Sequence, residues 1–152
     1  MVASRVPALH ALSLFVRWAH VAGMAAILGG ALLVWWLGVR QKGGNSGVVL
    51  DVAERYEWIF WAAIGVQAMT GVGNLGAFGD ALPAPESAWG TKLIVKLVAV
   101  LALAVLSVPR TLAVVAMAGT RRPQPDLLSA LYGGTAIFVV GIAGLAVWLA
   151  HG

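Results

Sequence analysis

The residues of this sequence that could do chemistry are a few polar side chains set into long apolar stretches. Arg17 and His20 lie three positions apart in the first stretch, and Lys92 and Lys96 lie four positions apart at the start of the third. Residues with these spacings share one face of a helix. An imidazole can bind a metal, and cations can bind carboxylates or phosphates. Ionisable groups are costly inside a bilayer and mark function there by default, so these four residues are the first candidates for a site.

A second spacing points to a metal. Met24 follows His20 by four positions and so shares its helix face. A thioether beside an imidazole suits Cu(I) because both are soft enough to bind it. The sequence contains no Cys, which excludes thiolate metal sites, iron–sulfur clusters and disulfides. We therefore predict His20 and Met24 as ligands of a metal or a haem.

The cations are predicted to bind an anion. No Asp or Glu is expected within a span at the depth of Arg17, Lys92 and Lys96, and each unpaired charge there costs several kcal/mol. A ligand that carries carboxylates would compensate them. Haem b fits this requirement, with its propionates on the cations and His20 as an axial ligand.

Each of these residues also has a structural interpretation. Lysines near helix ends can extend to lipid headgroups, Arg17 beside Trp18 can anchor the interface, and a single Met at helical spacing often fills a core. On the second helix, three polar residues fall on successive turns and either form hydrogen bonds between helices or line a polar path: Gln67, Thr70 and Asn74.

Composition sets the class of the protein. Of the 152 residues, 61% are hydrophobic and 11% are charged, and the mean hydropathy is +0.90. A soluble domain has about 25% charged residues. The sequence therefore predicts an all-α integral membrane protein, with residues 1–152 forming one four-helix transmembrane bundle. Its helices are predicted at about 9–39, 51–77, 89–119 and 126–151, following a short tail that ends at Pro7.

The distribution of charge predicts the orientation. Basic residues concentrate near the first and third loops, which places these loops in the cytoplasm and both termini outside. The acids Asp51, Glu54 and Glu57 are predicted in the first turns of the second helix, where they suit the helix dipole. The sequence pI is about 10.1, but no nucleic-acid-binding module is present, so no nucleic-acid partner is expected. Four glycines are predicted to mark the packed face of helix 4: Gly133, Gly134, Gly141 and Gly144.

Several short motifs resemble the CopD-type copper-resistance membrane domain. They are His20 with Gly29-Gly30, then Thr70-Gly71, then the segment from Trp89-Gly90 to Lys96-Leu97, and finally Arg110. The similarity covers roughly residues 17–112 and is most specific at the start of helix 3. Ile27 and Pro109 stand where that family more often has Trp and Asn.

The resemblance implies copper import or tolerance at the bacterial inner membrane, often beside a periplasmic copper carrier. It carries over His20, Trp89, Gly90, Lys96 and Arg110 as family positions. From its place after Pro109, Arg110 is expected to face lipid phosphate or the cytoplasm.

The combination of an early helix-1 His with a helix-3 Lys is also similar, more loosely, to the HemJ-type protoporphyrinogen oxidases, four-helix proteins that bind haem. Three hypotheses follow: a copper-handling membrane protein, a haem b-binding redox protein or oxidase, and a structural subunit of a larger membrane complex. Whether the protein is an enzyme stays open, and the lipid bilayer is its expected surroundings.

Overall fold

The structure, a computed structural model, describes the backbone of residues 5–41, 46–76 and 87–151. Within these ranges, the side chains of residues 5–9, 72–76, 88–89 and 149–151 lie outside the description. The described chain is all-helical, which confirms the predicted class. It forms four helices: α1 Arg5–Arg40, α2 Ser46–Gly76, α3 Ala88–Thr120 and α4 Pro125–His151.

Two helix starts differ from the prediction. α1 begins at Arg5, so the tail predicted to end at Pro7 is wrong: this proline lies in the first turn, where its missing N–H has no helical partner to lose. α2 begins at Ser46, although the sequence predicted a start near Asp51 after a glycine-rich linker. Glycine and serine are weak helix formers, but tertiary packing overrides such preferences at helix ends.

The ends of α3 show why it begins and stops where it does. Ser87 is its N-cap, and the Ser87 hydroxyl accepts a hydrogen bond from the Gly90 backbone N–H at 3.0 Å. Ser87 thus satisfies one of the backbone donors that the first turn of a helix leaves without a helical partner. At the other end Arg121 adopts a left-handed conformation with φ of 49°, and its N–H donates to the Ala118 carbonyl. The chain then reverses into α4.

The four helices pack antiparallel to their neighbours. α1 lies along α2 and α4, α3 lies against the same two helices, and α2 also touches α4. Within the described ranges α1 and α3 make no close approach, so they occupy opposite corners. The core between them is apolar at positions that recur every three or four residues, such as Ile27, Ala31 and Val34 of α1.

Three of the described helices are long and apolar enough to cross a membrane: His10–Arg40, Gly90–Thr120 and Pro125–Trp148. Their most apolar windows are only 28%, 11% and 17% buried inside the protein, so most of their apolar side chains face outward. Such faces suit contact with lipid, and these are the features of a membrane protein. α2 carries Asp51, Glu54, Arg55 and Glu57 in its first half.

The closest helix contacts depend on a few glycines. A Cβ atom on Gly30 would overlap the ring of Tyr56, and one on Gly133 would lie 2.9 Å from a ring carbon of Trp35. Small residues permit this approach of neighbouring helices. The prediction that four glycines mark the packed face of α4 holds at Gly133 and is wrong at the other three. A Cβ would meet nothing within 4 Å at Gly134, Gly141 and Gly144.

Candidate functional site

His20 is half-buried on α1 and forms a side-chain hydrogen bond with Thr70 of α2. Its Nδ1 lies 3.0 Å from the Thr70 hydroxyl oxygen. The Thr70 hydroxyl has one proton, which it donates to the Val66 carbonyl at 2.7 Å. With that proton on the Val66 carbonyl, the hydroxyl oxygen accepts from His20, and this hydrogen-bond pattern assigns the imidazole proton to Nδ1. Nε2 is then the unprotonated nitrogen, and its lone pair is the one that can bind a metal.

A second residue of α2 fixes the backbone beside this imidazole. The Gln67 side-chain amide donates to the His20 carbonyl at 2.6 Å. Gly23, which follows on α1, gives room for this amide, since a Cβ there would lie 2.6 Å from the Gln67 Nε2. Of the two roles predicted for Gln67 and Thr70, the structure shows hydrogen bonds between helices. The side chain of Asn74, the third residue of that set, lies outside the described residues.

Met24 lies one turn after His20 and packs, half-buried, against the apolar core. It therefore has the contacts of a core residue. In the parts of the chain that the structure describes, no group of three or more His, Cys, Asp or Glu side chains could hold a metal ion. A metal at His20 would thus depend on a small ligand set, of which Met24 is the soft member.

The three predicted anion-binding cations lie on two helices whose backbones make no close approach in the described ranges. Arg17 and Lys96 are exposed and Lys92 is half-buried. The Lys96 ammonium nevertheless lies near enough to act on the His20 imidazole through its charge. None of the three has an acidic partner among the described residues. Among the three, Lys96 is the cation with an electrostatic effect on His20.

The start of α3 holds two further positions of the family-like motif, Trp89 and Gly90. Gly90 is buried, and its N–H completes the Ser87 cap. This gives Gly90 a structural role at the helix N-terminus. The side chain of Trp89 lies outside the described residues.

Arg110 shows the largest departure from expectation. It was predicted to face lipid phosphate or the cytoplasm, which is wrong: its residue surface is 1% exposed. Its Nε donates to Glu57 Oε1 at 2.8 Å and its Nη2 donates to Glu57 Oε2 at 3.2 Å. Glu57 is itself 6% exposed. A two-point contact of this kind matches the planar guanidinium to the carboxylate and holds both in one geometry.

Other side chains complete the hydrogen bonds of this pair. Tyr132 donates to Glu57 Oε1 at 2.6 Å, and Thr111 donates to Oε2 at 2.5 Å. The remaining guanidinium nitrogen, Nη1, donates to the Thr135 hydroxyl at 3.0 Å. The carboxylate thus accepts four hydrogen bonds, and the network joins α2, α3 and α4.

Aromatic rings enclose the cation. The Arg110 guanidinium carbon lies 4.1 Å from the Phe60 ring centroid, 5.0 Å from that of Tyr132 and 5.8 Å from that of Tyr56. Ring faces attract cations, most strongly where water is excluded. The two charges balance each other, and every side-chain nitrogen and oxygen of Arg110 and Glu57 has a hydrogen-bond partner. The pair is therefore suited to holding the helices together rather than to binding a further ligand.

The helical spacing of Arg110 and Glu57 relative to apolar residues indicated this pair in the sequence. Arg110 falls on the same face of α3 as buried Leu103, Ser107 and Val114, and Glu57 falls on the face of buried Phe60. A charged residue in an otherwise apolar seam predicts a buried, paired charge.

Comparisons with known proteins add no identification. No family model matches the chain, and neither a curated protein nor a solved structure matches it. The resemblance to the CopD-type domain rests on the short motifs alone, and its functional content is a hypothesis.

Proposed function

We propose that this chain is a multi-pass protein of the bacterial inner membrane that handles a redox metal through His20, in copper import or tolerance. The observation that supports this proposal is the hydrogen bond between His20 Nδ1 and Thr70, because it leaves Nε2 as a metal-binding nitrogen. Histidine ligands of metals are commonly oriented in this way by a partner on the other ring nitrogen.

In the proposed arrangement all four helices cross the bilayer and both termini lie outside. α2 is the helix whose crossing needs an explanation, because Glu57 follows three other charged residues. Arg110 balances the Glu57 charge inside the protein, so that the carboxylate is not left unpaired in an apolar environment. Asp51, Glu54 and Arg55 would then lie at the cytoplasmic headgroup level.

For copper, His20 Nε2 and the Met24 thioether are the proposed ligands of Cu(I) as cargo. They lie one helical turn apart and combine an imidazole with a soft sulfur. A periplasmic copper carrier is the partner that this role implies.

Haem b is the second candidate, and Lys96 is the observation that favours it. A cation that acts on His20 repels Cu⁺ but attracts a propionate. His20 would be the axial ligand, held by Thr70, and Lys96 would neutralise a propionate. When bound, haem b supplies one-electron chemistry.

An absorption spectrum and a metal analysis of the detergent-purified protein test both candidates. The copper role predicts Cu(I) retained in proportion to protein and lost in His20→Ala. The haem role predicts a Soret band that the same variant abolishes. His10→Ala is the matched control, because His10 is an exposed histidine of the same helix and should change neither signal.

Protein that holds neither copper nor haem after supplementation with each would contradict the proposal. Recovery of such protein together with partner subunits would favour the third hypothesis, a structural subunit of a larger complex.

A further inference from the structure

A groove of about 400 Å³ lies far along α2 from the His20 site. It is formed by the first turns of α2 and the residue that follows α3. Its lining residues are Asp51, Glu54, Arg55, Trp58 and Arg121. The four α2 residues have spacings of three and four positions and therefore share one helix face. A volume of this size is within the range of small-ligand sites, about 300–1,000 Å³.

The groove contains charges of both signs, and only part of them is paired. Arg121 contacts Asp51 at 3.2 Å, and both side chains are well exposed, at 74% and 58%. Glu54 and Arg55 have no hydrogen bond or ion pair among the described residues. Glu54 is half-buried and Arg55 is exposed. The groove therefore offers one unpaired carboxylate and one unpaired guanidinium beside each other.

The position of Trp58 shows where the groove lies relative to the apolar segment of α2. Trp58 lies one turn after Glu54 and Arg55, at the start of the apolar segment of α2, and it is 83% exposed. Exposed tryptophans of membrane proteins occupy the boundary between headgroups and acyl chains. In the membrane arrangement of the proposed function, on which this inference rests, Glu54 and Arg55 lie at the level of the headgroups.

We propose that this groove binds a phospholipid headgroup that carries both a phosphate and a primary ammonium, as in phosphatidylethanolamine. Arg55 donates to the phosphate, and Glu54 accepts from the ammonium. Trp58 packs against the glycerol and the first acyl carbons. A choline headgroup fits less well, because its quaternary ammonium has no N–H to donate, and a glycerol headgroup lacks the cation altogether.

Calorimetric titration of the full chain in detergent tests this site with three short-chain lipids that differ in the headgroup. The wild-type protein is expected to bind phosphatidylethanolamine about threefold more tightly than phosphatidylcholine or phosphatidylglycerol, the size of an exposed charge contact. Glu54→Gln should remove the preference over phosphatidylcholine, and Arg55→Gln should weaken binding of all three lipids about threefold. Arg122→Gln is the control, because Arg122 is exposed nearby but does not line the groove.

Equal binding of the three lipids by the wild-type protein, or an Arg55→Gln variant that binds like it, would overturn the proposal. Soluble phosphoethanolamine should bind more weakly, because it lacks the part that contacts Trp58; equal affinity would overturn the assignment to a lipid. Measuring the metal and haem content of the same samples distinguishes a failure of the lipid site from a failure of the proposed function. His20→Ala should lose its metal or haem and keep its lipid preference.

Discussion

Arg110 Nε lies 2.8 Å from Glu57 Oε1, and both residues are almost completely buried. They come from α3 and α2 and are 53 positions apart in the chain. Removing one partner of a buried pair leaves an uncompensated charge, which costs about 3–5 kcal/mol. We therefore expect Arg110→Met to lower the free energy of unfolding by this amount, measured by denaturation in detergent.

The exposed pair provides the control for that experiment. Arg121→Gln removes the contact with Asp51, which is open to solvent, and should cost at most about 1 kcal/mol. The double variant Glu57→Gln with Arg110→Met should be more stable than Arg110→Met alone, because the unpaired carboxylate is gone. If Arg110→Met and Arg121→Gln lowered the free energy of unfolding by similar amounts, burial would not be what makes the Glu57–Arg110 pair important for stability.

Two neighbouring glycines of α1 give a prediction about packing. Gly30→Ala places a methyl group into the Tyr56 ring, whose hydroxyl donates to the Ile27 carbonyl at 2.5 Å. Overpacking of this kind costs about 1–3 kcal/mol, so the midpoint of thermal unfolding should fall. Gly29→Ala should leave it nearly unchanged, since a Cβ there meets nothing within 4 Å. Equal midpoints for the two variants would contradict the observed approach of α1 and α2.

The Thr70 hydroxyl should control the affinity of His20 for the proposed metal or haem. Thr70→Val removes the acceptor for Nδ1–H and should weaken binding about 10–100-fold, the usual effect of losing a residue that orients a metal ligand. Thr70→Ser keeps an acceptor oxygen and should bind within a few-fold of wild type. The measurement is a titration of metal-free protein with Cu(I), or with haem followed at the Soret band. Wild-type affinity in Thr70→Val would show that Thr70 does not orient the ring.

Lys96 should distinguish the two candidate ligands. Its charge repels Cu⁺ and attracts a propionate, so Lys96→Gln should strengthen Cu(I) binding or weaken haem binding, by up to about fivefold in either case. Arg17→Gln is the comparison on α1, because it removes an exposed cation that lies three positions from His20 on the same helix. Unchanged affinities in Lys96→Gln would remove Lys96 from the site.

Hydropathy was sufficient to predict four helices, although not the starts of α1 and α2, because long apolar stretches are a property of neighbours in the sequence. The contact of Thr70 with His20 was harder to predict from the sequence, since it depends on how α2 is rotated against α1. The sequence marked both residues as polar groups within spans but could not pair them. It also could not separate Lys96, which acts on His20, from Arg17 and Lys92.

The buried ion pair was missed for a physical reason. Glu57 follows Asp51 and Glu54, so its position along the helix indicated one more acid of an exposed first turn. Its position around the helix indicated the opposite, because it shares a face with buried Phe60. The second criterion is the better guide here, because Glu57 lies on the face of α2 that packs against the core on the neighbouring turns.

The burial of side chains is uneven along the length of α3. From Thr91 to Ala102 every described residue of α3 is exposed or half-buried, whereas the later part of the helix contributes Ser107, Arg110 and Val114 to the core. The buried contacts that hold α3 in the bundle are therefore concentrated in its second half, around the Arg110 network. The first half, which carries Lys96, contributes little to the core of the described protein.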